Sequence, residues 1–90
     1  MKLAKRVFYE GRVQNVGFRA TVRWIAEGFE IVGSVKNLPD GRVELLVQGQ
    51  PSEVADFLQA IRESELASHI KNVIEERADL ETGMRGFAIA

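Results

Sequence analysis

Residues 5–19 read Lys-Arg-Val-Phe-Tyr-Glu-Gly-Arg-Val-Gln-Asn-Val-Gly-Phe-Arg, and within them the periodicity of the chain changes. From Lys5 to Gln14 the apolar Val7, Tyr9 and Val13 share one face at even spacing, opposite mostly charged or amide residues, as in a half-buried strand. Downstream, Phe18, Val22, Ile25, Ala26 and Phe29 fall on one stripe of an amphipathic helix, loosened at its end by Gly28. A strand therefore runs through a short loop directly into a helix.

Working outward, Ile31–Asn37 and Arg42–Gln48 are two strand-like runs joined through Leu38-Pro39-Asp40-Gly41, a tight-turn signal that predicts a β-hairpin. Gln50-Pro51-Ser52-Glu53 opens a second helix, with Pro51 in its first turn or Ser52 as its cap, and Val54, Phe57, Leu58 and Ile61 form its buried stripe. His69–Ala78 is too β-branched for a good third helix and is assigned as a strand; Gly86–Ile89 is assigned as a short terminal one. The order βαββαβ plus a short C-terminal strand predicts an α+β, ferredoxin-like α/β sandwich, with two helices on one face of an antiparallel sheet. In such a right-handed crossover both parallel strands end at the same sheet edge, which brings the Gln14–Arg19 loop and Asn37 to one rim.

Ninety residues, 46% hydrophobic and 28% charged, suit one domain spanning residues 1–90. The net charge is −1, with no global positive field for nucleic acid or anionic membrane. Residues 1–48 hold eight basic and five acidic side chains, whereas 49–90 hold four and eight, a polarity that fits either ordinary surface patterning or, on the sharper reading, an anion site in the first half. No cysteine and a single histidine, His69, exclude disulfides, thiolate chemistry and multi-histidine metal centres. Neither an apolar leader nor a run of about 20 apolar residues is present, so a cytoplasmic monomer without membrane contact is expected. Glu75, Glu76, Asp79 and Glu81 lack a histidine partner and are read as a solvated face, and no Ser-His-Asp triad can be assembled from six Ser/Thr and one His.

The candidate site is the loop Gln14-Asn15-Val16-Gly17-Phe18-Arg19. The N–H groups of a helix's first turn have no intrahelical partners, and with the positive end of the helix dipole they suit a phosphate-sized anion. Arg19 adds a planar fork able to grip two phosphate oxygens. Without Lys-Ser/Thr this is not a Walker loop. Gly11 and Gly17 are read as permissive backbone positions and Gln14 as shaping the loop or facing solvent. Arg12 and Arg23 are read either as adding positive field at the phosphate or, equally, as surface charges, Trp24 is taken as half-buried packing, and His69 as a solvated loop residue.

Gly11-Arg-Val-Gln-Asn-Val-Gly-Phe-Arg19 closely resembles the acylphosphatase signature Gly-x-Val-Gln-Gly-Val-x-Phe-Arg. Gly33-Ser-Val-Lys-Asn37 with Asp40-Gly-Arg-Val-Glu44 resembles that family's second block, and Gln48-Gly49 and Gly86-Phe87-x-Ile89 also match. The resemblance covers nearly the whole chain. It implies hydrolysis of a small acyl phosphate to a carboxylate and inorganic phosphate without metal or cofactor, Arg19 and the loop amides holding the phosphoryl group and Asn37 orienting the attacking water. Phosphoryl transfer through a loose transition state needs positioning and charge stabilisation more than a covalent nucleophile, which suits so spare a residue set.

Two positions depart from the pattern. Asn15 stands where the family usually has glycine, at a position expected to need positive φ, which Asn tolerates better than other side chains. Ser34 stands in place of the usual tryptophan, removing packing surface beside the strand that carries Asn37. The competing reading is a degenerate, non-catalytic module of this type that binds a small anion or a protein partner. An RNA-binding module is disfavoured because the third strand, Arg42–Gln48, has no aromatic residues on which bases could stack.

Overall fold

A computed structural model describes all residues, Met1–Ala90. Five strands and two helices follow in the order β1 (Leu3–Gly11), α1 (Phe18–Ala26), β2 (Ile31–Asn37), β3 (Val43–Gly49), α2 (Pro51–Arg62), β4 (Ile70–Ala78) and β5 (Phe87–Ile89). The sheet order is β4-β1-β3-β2-β5. β1 lies antiparallel between β3 and β4, and β2 pairs antiparallel with β3. β5 pairs parallel with β2, through Gly33–Phe87 to Val35–Ile89. The sheet is therefore mixed rather than antiparallel: the connection after β4 returns the chain to the opposite edge, where β5 runs in the direction of β2. The ferredoxin-like α+β architecture stands.

One core fills the space between sheet and helices. Val7 and Tyr9 of β1, Val35 of β2 and Val43, Leu45 and Val47 of β3 meet Phe18, Val22 and Ala26 of α1 and Val54, Phe57, Leu58 and Ile61 of α2. The two periods read from the sequence thus meet on shared partners: the i, i+2 faces of strands and the i, i+4 stripes of helices exclude water together. Burial and the nearby Glu75 carboxylate push the Tyr9 hydroxyl well above its usual range, so it remains a neutral core group.

Several boundaries differ from expectation. Val13 lies beyond the end of β1 yet is 1% exposed, because the chain turns inward after Gly11. Gly11 has φ 130°, and any side chain there would run into the main-chain oxygen of His69, which accepts a 2.9 Å hydrogen bond from Arg12 N–H. This close approach anchors the start of the site loop to β4's entrance. α1 ends at Ala26, so Phe29 belongs to the following turn, where its N–H reaches Ala26 C=O. Pro51 occupies the first turn of α2 after Gln50, and Ser52 is not the cap. A 3₁₀ turn, Glu65–His69, precedes β4, so His69 is half-buried and not part of the strand. Trp24 is 74% exposed, not half-buried, since it falls outside the Phe18–Val22–Ala26 stripe.

Candidate functional site

The chain leaves β1, passes Asn15 at φ 62° and Gly17 at φ 75°, and enters α1 at Phe18. Two left-handed residues around Val16 turn the backbone sharply, a geometry known to present successive N–H groups to an anion. Gly17 has open space where a side chain would stand, so its requirement is one of backbone conformation rather than room. Asn15 adopts the conformation that its replacement of glycine demanded. The first helical hydrogen bond runs from Thr21 N–H to Gly17 C=O at 3.0 Å, and the N–H groups of residues 14–20 have no acceptor within the protein.

A cavity of about 170 Å³ opens beside this loop. Asn15, Gly17, Phe18, Arg19 and Ala20 line one side of it, and Asn37, at the end of β2, lines the other with Ile89 of β5. The crossover geometry does bring Arg19 and Asn37 to a single rim. Phe18 is held by the core, its ring 5.1 Å from that of Tyr9, which fixes the first turn of α1 and hence the base of Arg19.

Arg19 is only half-buried and has no carboxylate within ion-pair distance, whereas the cations of the adjoining hairpin are engaged elsewhere. Arg42 pairs with Asp40 at 2.8 Å and lies 4.4 Å over the Phe8 ring; its bonds to Asp40, from the main chain above all, hold that carboxyl below the usual carboxylate range. Lys36 faces Glu44 at 3.5 Å. Arg19 is thus the one charged side chain lining the cavity, on a helix terminus that disfavours an unneutralised cation.

Asn37 contributes the most unusual feature. Its Oδ1 is buried and accepts no hydrogen bond. A buried acceptor without a donor costs about 1–3 kcal/mol, and native proteins satisfy nearly all such groups. Here the oxygen belongs to a residue that lines the same cavity as the free loop amides and the unpaired guanidinium.

Gln14 and Val16 do not line the cavity. The Gln14 side-chain amide donates to Leu38 C=O at 2.8 Å and to Arg42 C=O at 3.0 Å, clamping the site loop to the neck of the β2–β3 hairpin. Val16 is 37% exposed. Arg12 and Arg23 also lie outside this cavity. Sequence reasoning missed Val13, Ala20 and Ile89 as lining residues. Ile89 had a signal, its place in the C-terminal Gly-Phe-x-Ile block, but its role at the rim depends on the parallel pairing of β5. No group of three or more His, Asp or Glu side chains lies together as a metal site, and no helix is long and apolar enough to cross a membrane.

Comparison with known proteins agrees with this architecture. A model of the acylphosphatase family matches residues 5–89. An acylphosphatase from Bacillus velezensis is 38% identical over 81 residues, 90% of each chain. The crystal structure of acylphosphatase from Bacillus subtilis superposes with a TM-score of 0.87 at 32% identity, covering 100% of this chain and 99% of that one. A structure of an acylphosphatase from Coxiella burnetii gives 0.86 at 30% identity, over 99% and 93% of the two chains.

Proposed function

The chain belongs to the acylphosphatase family, enzymes that hydrolyse acid anhydrides, and from that premise we propose that it cleaves small acyl phosphates at the Asn15–Arg19 loop, with Asn37 orienting the water. The N–H groups of the loop and first helical turn, together with the Arg19 guanidinium, bind the phosphoryl oxygens and spread their charge over fixed donors. The Asn37 carboxamide hydrogen-bonds the water and holds the water's oxygen toward phosphorus. That oxygen bonds to phosphorus as the bond from phosphorus to the carboxyl oxygen breaks. The electron pair leaves with the carboxylate, and both of the water's protons finish on the released phosphate. A carboxylate needs no general acid to depart, which agrees with a cavity lined by no titratable acid or base other than arginine.

The observation that carries this reading is that Arg19, without a carboxylate partner, and Asn37, whose side-chain oxygen has no donor in the protein, line one cavity. The same reading has the enzyme acting as a monomer in the cytoplasm, without metal or cofactor. The test is phosphate release from acetyl phosphate or benzoyl phosphate with a chelator present. Arg19→Gln is expected to lower the rate at least about a thousandfold and to abolish inhibition by inorganic phosphate. Asn37→Ala is expected to abolish turnover while leaving phosphate inhibition largely intact. Parental rates in both variants would overturn the site assignment. Phosphate binding by the parent without hydrolysis would instead favour the non-catalytic anion-binding reading.

A further inference from the structure

A second cavity of about 390 Å³ lies between Ala26, Phe29, Ile31 and Phe87, with the exposed Arg23 and Glu27 beside it. No residue lines both cavities, but α1, β2 and β5 contribute to each. Passing from one to the other, the lining residues advance along α1 from Arg19 and Ala20 to Arg23 and Ala26, and step backward along β2 from Asn37 to Ile31 and along β5 from Ile89 to Phe87. Since β2 and β5 are parallel to each other, this opposite progression means that both cavities lie along one groove between α1 and the β2–β5 edge, α1 running against the strands.

The Phe29 and Phe87 rings floor the far cavity, and Phe57, which does not line it, supports both from the core. Phe57, fully buried, lies 5.9 Å from the Phe29 ring and 5.8 Å from the Phe87 ring, and both of those outer rings remain half-exposed toward the groove. Arg23 and Glu27 carry opposite charges, so the cavity presents no net charge to an occupant. A neutral apolar occupant suits it better than a second anion. Ala20 to Ala26 spans about 9 Å of helix axis at 1.5 Å per residue, and Ile89 to Phe87 about 7 Å of strand. An extended acyl chain of about six carbons, advancing about 1.25 Å per bond, reaches about 6 Å, which passes Arg23 at the near edge of the second cavity, about 4.5 Å along α1 from Ala20, and approaches Phe87.

We infer that this second cavity is the acyl-chain pocket, and that the enzyme prefers acyl phosphates with an unbranched aliphatic chain of about six carbons over acetyl phosphate. The inference rests on the hydrolysis and the phosphate site proposed above. The phosphoryl group at the loop points its acyl carbonyl past Ala20 into the groove, and each further methylene leaves water for the groove wall, the last of them nearest the Phe87 ring.

The experiment compares kcat/KM for acetyl, butyryl and hexanoyl phosphate. Burial of each methylene in an open groove is expected to raise kcat/KM about twofold to threefold, hence roughly 20- to 80-fold from acetyl to hexanoyl phosphate. Phe87→Ser removes part of the floor, and Glu27→Trp, at an exposed position, fills the groove without disturbing the core. Each is expected to bring the hexanoyl-to-acetyl ratio below about fivefold, mainly through KM, in protein whose melting temperature confirms folding. A parental ratio within twofold of unity, with acetyl phosphate still hydrolysed in an Arg19-dependent manner, overturns the pocket and leaves the hydrolysis standing. A steep preference that both variants retain places the chain elsewhere and also overturns it. Failure to hydrolyse any of the three substrates removes the hydrolysis reading, and the pocket with it.

Discussion

Replacing Gln14 by alanine separates the geometry of the site from its chemistry. The Gln14 amide makes two hydrogen bonds, to Leu38 C=O and Arg42 C=O, that bridge from the loop to the hairpin immediately after Asn37. Each such bond contributes about 0.5–1.5 kcal/mol net. Neither carbonyl is orphaned by the change, because Leu38 C=O keeps Gly41 N–H at 3.1 Å and Arg42 C=O keeps Leu38 N–H at 2.8 Å. The loss therefore falls in the lower half of the sum, about 1–2 kcal/mol. For a domain of this size that corresponds to a fall in melting temperature of roughly 4–16 °C. Gln14→Glu should be worse than alanine, since it turns a carboxylate toward two carbonyl oxygens. In steady-state assays with benzoyl phosphate, kcat should fall by about tenfold to a hundredfold as Asn37 loses its register against the loop, while the inhibition constant for phosphate changes much less. Thermal melts and phosphate inhibition measured on the same preparations decide it. Gln14→Ala melting within 2 °C of the parent with an unchanged kcat would refute the clamp, and loss of phosphate inhibition as complete as in Arg19→Gln would make Gln14 a direct ligand instead.

Two further outcomes are expected. Asn37→Ala, though inactive, should be no less stable than the parent, and more stable by up to about 1 kcal/mol, because it removes a buried oxygen that has no donor; urea melts showing a loss of more than about 1 kcal/mol would mean that the oxygen is satisfied in solution. Glu75 is bonded by Lys5 at 3.0 Å and Arg62 at 2.7 Å. Partial burial alone would raise its pKa, but the hydrogen bonds and charges of Lys5 and Arg62 outweigh it and leave the carboxyl below its usual value. A depressed carboxyl stabilises the fold above its unfolded pKa and loses that contribution as pH falls through the folded one. With all three side chains partly solvated, Glu75→Gln should cost only about 1 kcal/mol at pH 7, and the difference should shrink toward zero by about pH 3. A gap of equal size at both pH values in urea titrations would contradict the ionic origin.

The order of elements and the two halves of the candidate site were readable in the amino-acid sequence because their signals are local. The change from a two-residue to a 3.6-residue period between Tyr9 and Val22, the Asp40-Gly41 turn and the run from Gly11 to Arg19 each depend on neighbours within a few positions. Right-handed crossover chirality extended that reading to one long-range fact, the shared rim of Arg19 and Asn37. What lay beyond it depended on contacts between segments far apart in the chain. Nothing near Gln14 indicates that its amide reaches across 24 and 28 positions to the hairpin, nor does anything near Asn37 say that its oxygen is buried without a donor. The parallel placement of β5, which turns Ile89 and Phe87 toward α1, arises from how the last residues fit an edge already built, and periodicity over three residues carries no such instruction. Local pattern decides which face of an element is apolar; only the closed packing of all elements decides which polar atoms are left unpaired and where the gaps between them fall.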